Sequence, residues 1–254
     1  MSTANTAAAG GALKIIQLYP EELGVAGDRG NVMALTTRLQ HAGIAAELVE
    51  HRRGDAFVSD ADLVVIGSGP LSAMRNIYDD LLSIAPGLMA MNEAGVPIFA
   101  YGSGAELLGS GIVLLDGTVM PGLGILPFRA VRTTERQVAY IITEIAGGQL
   151  VGFEDHASRW ELDSDASAFG KLVIGGGNGD GEREGVLIGT AIGTQVGGPV
   201  LPLNPMLTDA LLGQAAERRG FSYNSGKPHA ALDRYAKKAR EVIVRNASYK
   251  FNSI

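Results

Sequence analysis

The chain contains no cysteine in its 254 residues, which excludes a disulfide, a thiolate nucleophile and a Cys-ligated metal. Aromatic residues are scarce, at 6% with a single tryptophan, and charged residues reach only 19%. The net charge of −6 argues against a broad nucleic-acid surface, because phosphate binding needs clustered Lys and Arg. Basic residues gather only in Arg234 to Arg245, where helical spacing reads as a solvated face. No stretch offers the roughly 18 consecutive apolar residues of a membrane-spanning helix. The start, Met1 to Gly11, is rich in Ser, Thr, Ala and Gly and lacks the basic and apolar segments of a signal peptide. A cytoplasmic location is therefore expected.

The apolar fraction is 46%, ordinary for a globular α/β protein and enough for a full core. The expected organisation is a disordered leader over 1–12, a main domain over 13–220 and a C-terminal helical extension over 221–254. Leu13 to Tyr19 reads as a short buried strand, and Asp28-Arg29-Gly30-Asn31 opens a helical pattern that Gly43 closes. Further strands are expected at Ala45 to Val49, Asp62 to Ile66 and Val96 to Tyr101, with a helical region ending at Ala94. Two of these strands run into glycine turns, Gly67-Ser68-Gly69-Pro70 and Gly102-Ser103-Gly104. Alternating strands and helices with such turns predict a three-layer, doubly wound, mostly parallel sheet, whose crevice lies outside the strands' carboxyl ends.

Beyond Gly117 the periodicity changes. Val138 to Ile145, Leu150 to Phe153, Lys171 to Ile174 and Val186 to Ile192 read as shorter strands, predicting a mixed or antiparallel extension of the sheet. Gly175 to Gly185 (GGGNGDGEREG) is too glycine-rich for a regular element. It lacks the Lys-Ser/Thr ending of a phosphate loop, and Asp180, Glu182 and Glu184 match no EF-hand spacing, so it reads as a solvated turn. No cofactor and no metal are expected. Helices over Pro205 to Arg219 and Pro228 to Asn246 finish the chain.

The segment Val96-Pro97-Ile98-Phe99-Ala100-Tyr101-Gly102-Ser103-Gly104-Ala105-Glu106-Leu107-Leu108-Gly109 resembles the nucleophile elbow of class I glutamine amidotransferases. There the strand ends in Cys-Gly-Gly, followed by an aromatic residue, Gln, two apolar residues and Gly. Further blocks are Gly27-Asp28-Arg29-Gly30-Asn31, Gly122-Leu123-Gly124-Ile125-Leu126, Gly152-Phe153-Glu154-Asp155-His156 through Arg159, and Gly193-Thr194 through Gly198-Pro199-Val200-Leu201-Pro202 with Asn204. Their order and spacing are similar to the GatD-type, CobB/CobQ-like branch, the glutaminase subunits of lipid II isoglutaminyl synthase. The resemblance runs from about residue 13 to residue 215.

That resemblance implies a cysteine at the elbow and a histidine directly before Gly-Pro, and this chain carries Gly102 and Gly197 there. A hydrogen cannot attack a carbonyl, so no covalent glutamyl intermediate is expected. In the oxyanion loop Gly67 and Gly69 remain, while Leu71 and Met74 stand where the family has polar side chains. Arg136 falls where the family places an arginine for the substrate's α-carboxylate, and it reads either as that clamp or as an exposed arginine without a ligand. Ser103 follows the vacated elbow position, and His156 is the candidate base, although the family carries that histidine alongside its catalytic one. The implied partner is a Mur-ligase-like, ATP-dependent synthetase subunit; the implied cleft ligand is glutamine or another amino acid. Three functions follow: an inactive amidotransferase subunit, an enzyme with repurposed chemistry on Ser103, His156 and Glu106 or Glu154, or a stand-alone amino-acid-binding module.

Overall fold

The computed structural model describes residues 12–25 and 27–248. The expected leader lies almost wholly outside them. Four apolar runs, β1 (Leu13–Leu18), β3 (Leu63–Ile66), β4 (Ile98–Tyr101) and β12 (Ala191–Thr194), form the middle of a six-stranded sheet. Being covered on both faces, these strands are buried at nearly every position. β2 (Ala46–His51) closes one edge and β11 (Val186–Ile188) the other, in the order β11-β12-β4-β3-β1-β2. All pairings in it are parallel except β11 with β12.

Alternate side chains of these strands feed two cores. Leu13, Ile15, Leu63, Val65 and Phe99 pack toward α1 (Arg29–His41) and α5 (Pro205–Arg218). Ile16, Leu18, Val64, Ile66 and Ile98 pack toward α2 (Leu71–Glu93), which buries Met74, Ile77, Leu81, Ile84, Leu88 and Met91 at three- and four-residue spacing. This is the three-layer, doubly wound arrangement the strand-and-helix alternation predicts. Its functional crevice lies where the strands end and the Gly67 and Gly102 turns begin.

The later strands differ in detail from expectation. β7 (Phe128–Ile145) and β8 (Gly148–Leu162) form a long hairpin, with a register shift between Arg132 and Gln137. With β5 (Gly111–Val113), β6 (Val119–Pro121), β9 (Gly170–Ile174) and β10 (Arg183–Glu184) they build a second mixed sheet, rather than added strands on the first. Isolated bridges pair Phe153 of β8 with Gly197 just beyond β12, and Ser167 in the loop before β9 with Leu187 of β11. The run Val186 to Ile192 is two strands reversing at Gly189 (φ 55°). The glycine-rich loop also needs correcting, because Arg183 and Glu184 pair with Lys171 and Gly170. α6 (Ala230–Arg245) lies on the surface and buries only Ala236 of its own residues.

Candidate active-site cleft

At the end of β4 the backbone turns sharply into α3 (Ser103–Leu108), with Gly102 at φ 52°, ψ −123°. Only glycine takes this conformation without strain. A Cβ added there would lie 2.6 Å from Ser68 Oγ. The Gly67-Ser68-Gly69 loop is locked against the elbow: the Ser103 hydroxyl accepts from Gly69 N at 2.8 Å, donates to Gly69 O at 2.9 Å and lies 3.2 Å from Ser68 Oγ. Ser103 N in turn donates to Ser68 Oγ at 3.2 Å. Asp28, buried in the turn before α1, accepts from Ser68 N at 3.1 Å and holds the loop from behind. A side chain at Gly67 would overlap Leu23 O and Asp28, and one at Gly69 would overlap Glu22 O, so both glycines permit close backbone packing.

Across the cleft, Gly197 is clamped to β8 by reciprocal bonds with Phe153, N to O at 2.9 Å and O to N at 3.1 Å. A Cβ on Gly197 would overlap Cζ and Oη of Tyr101. The tyrosine ring thus occupies the volume into which a side chain from position 197 would project. Burial, then the charges of Asp28, Asp155 and Glu154, push the Tyr101 phenol above its ordinary range, so it stays neutral.

These elements surround a cavity of about 510 Å³ that Ser68, Gly69, Gly102, Ser103, Arg136 and His156 all line. The predicted site residues therefore come together, Gly67 and Gly197 as its supporting backbone. Arg136 is 60% exposed and paired with Asp155 at 2.6 Å. His156 has both ring nitrogens engaged, one 3.3 Å from Glu154 Oε2 and the other 3.1 Å from Ser158 O. Among the described residues no hydrogen bond joins Ser103 to His156. The serine proton points at a backbone carbonyl, which cannot accept it as a base does.

The glycine-rich loop turns out to serve this cleft. Glu154, fully buried, accepts from Gly176 N at 2.6 Å, Gly177 N at 3.1 Å and Gln137 Nε2 at 3.2 Å, so the loop wraps the carboxylate that faces His156. Glu184, expected in solvent, is fully buried instead. Its Oε1 accepts from Thr194 Oγ1 and Gln195 N, both at 2.8 Å, and burial pushes its carboxyl up to about 7. Gln195 lines the cavity with Nε2 donating to Gly177 O at 3.0 Å and a buried Oε1 that has no partner among the described residues.

The chain matches the model of the CobB/CobQ-like glutamine amidotransferase domain over residues 14–204. It belongs to that family. It is 31% identical to the lipid II isoglutaminyl synthase (glutamine-hydrolyzing) subunit GatD of Staphylococcus aureus, across 93% of this chain and 96% of that one. Among solved structures, PurLQS of Thermotoga maritima has a similar fold at TM-score 0.56 and 14% identity, covering 82% of this chain and 97% of the other. A crystal structure of glutamine amidotransferase gives TM-score 0.56 and 17% identity, with coverages of 79% and 98%.

In this CobB/CobQ-like amidotransferase the sequence reading passed over one cleft residue, Arg132. Its Nη2 pairs with Glu106 Oε2 at 2.5 Å, while its buried Nε has no partner among the described residues. Glu106, 2% exposed, also accepts from Ser158 Oγ at 2.6 Å and Trp160 Nε1 at 3.4 Å. The structure supplies the alternation that identifies it: Phe128, Ala130 and Arg132 share one face of β7, and the first two are buried. A cation on an inward face calls for a buried anion or a ligand.

Proposed function

We propose that this chain is an amidotransferase-family subunit that does not release ammonia from glutamine, and that it acts as the non-catalytic partner of a Mur-ligase-like, ATP-dependent amide synthetase. One observation carries the reading. The elbow keeps its turn but presents Gly102, and the facing position is Gly197 with the Tyr101 ring filling the space in front of it. Nucleophile and base act as a unit, so the absence of both removes nearly all catalysis. The hydroxyls at the elbow are engaged: Ser103 is tied to Gly69, and Ser68 Oγ accepts from Ser103 N. The similarity to GatD, itself named as a subunit, supports an assembly role for a chain of the same length.

Glutamate release from glutamine by the purified chain, alone and with the synthetase subunit, tests this. Rates at the buffer blank are expected. Turnover above the blank that Ser103→Ala or His156→Ala abolishes would overturn it.

A second reading is favoured by two buried atoms. Arg132 Nε and Gln195 Oε1 lack partners among the described residues and belong to residues that line the 510 Å³ cavity, one a donor and the other an acceptor. An amino acid offers both complements, a carboxylate and an ammonium. Calorimetric titration with glutamine and glutamate tests whether the cleft retains a ligand; heats indistinguishable from dilution would dismiss the idea.

A further inference from the structure

We propose that the groove between α1 and α6 is the docking surface for the synthetase subunit, and that it receives a segment apolar at its centre and acidic at its flanks. This rests on the subunit reading above. The groove encloses about 310 Å³, with Leu201, Leu232 and Ala236 among its lining residues and Met33 and Tyr235 at its sides. Met33 is 58% exposed and Tyr235 72% exposed. Val242, one heptad beyond Tyr235, is 53% exposed on the same helix face. Large apolar side chains left in water beside an unfilled apolar hollow mark an interaction site.

Charge selects the occupant. The chain carries −6 overall, yet exposed cations flank the groove-lining side chains along both helices: Arg29, one turn before Met33, and Lys238, one turn beyond Tyr235. A second copy of this chain would bring the same cations face to face, whereas an acidic-flanked segment would neutralise them. The hollow takes an inserted side chain, which a flat bilayer surface does not supply. α6 is also held firmly enough to present a fixed surface. Asp233 pairs with Arg38 of α1 at 2.7 Å, and Arg240 donates to Gln149 O at 2.8 Å.

Occupancy would be felt in the cleft. Gly30 lines the groove, and Gly27 and Gly30 both pack on Pro199, two residues after Gly197. Between them Asp28 anchors the Ser68 loop. A segment seated in the groove thus lies against Gly30, two residues from the Asp28 that anchors the Ser68 loop.

The experiment is calorimetric titration of the full chain with the Mur-ligase-like synthetase subunit of the same genome. Tyr235→Glu and Met33→Glu, on different helices, are each expected to weaken binding about 30-fold or more. Lys238→Glu should weaken it less and reduce its salt dependence. Leu115→Glu, 67% exposed in the β5–β6 turn outside the groove, should match wild type. Circular dichroism confirms that each variant is folded; if Tyr235→Glu is not, Met33→Glu decides. Wild-type affinity in both groove variants overturns the docking surface and leaves the subunit reading standing. Failure of the wild-type chain to bind at all sinks that reading and this inference with it. Self-association of the chain alone, or binding to phosphatidylglycerol vesicles, lost in Tyr235→Glu assigns the groove to a second copy or to membrane and also overturns it.

Discussion

At the scale of single residues, neighbours fill the space in front of two glycines of the cleft. Ser68 Oγ crowds the direction in which a side chain on Gly102 would project, and the Tyr101 ring fills that of Gly197. Placing an imidazole at position 197 therefore overpacks the site. Gly197→His is expected to cost about 1–3 kcal/mol in urea unfolding. In a Tyr101→Ala background the same change should cost much less, a coupling that a double-mutant cycle reads directly. Equal costs in both backgrounds would show that the ring does not block position 197. Arg132 makes a related point about sequence reading. Its inward parity follows only once β7 is known to begin at Phe128, and its partner Glu106 lies 26 residues away on another element, so no local spacing joins them.

At the scale of elements, the junction of α4 (Val200–Leu203) with α5 is tied to β8 by one side chain. Asn204, 1% exposed, accepts from Val151 N at 2.9 Å and donates to Val151 O and Val200 O, both at 2.8 Å. Asn204→Ala would strand these backbone groups in the interior, and a loss of about 2–4 kcal/mol is expected in denaturant unfolding. The central strands were legible in the sequence because a strand covered on both faces is a continuous apolar run with a glycine turn at its end. The first half of β7 was not. Residues 128–137 mix Arg129, Arg132, Glu135 and Arg136 into the alternation, and their strand character comes from pairing with β8. β10 was illegible for a similar reason, since two residues inside a glycine-rich loop become a strand only by meeting β9. The elbow was readable from strand, glycine turn and helix in succession; that Tyr101 fills the facing space depends on a contact across 96 positions, which spacing cannot reveal.

At the scale of the whole molecule, the buried acid Glu184 links stability to pH. Burial raises its carboxyl to about 7 from an ordinary 4.5, with Glu154 adding repulsion against the hydrogen bonds from Gln195 N and Thr194. The folded protein thus holds a proton that the unfolded chain releases. The stabilisation is full below about pH 4.5 and is lost as the pH rises through about 7, a swing of about 3 kcal/mol. Glu184→Gln, which keeps the acceptor and removes the ionisation, should flatten this dependence. Relative to wild type it should gain about 2 kcal/mol between pH 5 and pH 8 in urea titrations, and parallel profiles would refute the assignment. The bend at Gly102 has a consequence of another kind. A residue with a Cβ must be forced into φ 52°, and that effort is sustained only while chemistry rewards it. With glycine at 102 the bend is relaxed, and with Ser68 and Tyr101 closing the space around positions 102 and 197 a side chain introduced at either one alone meets a closed door.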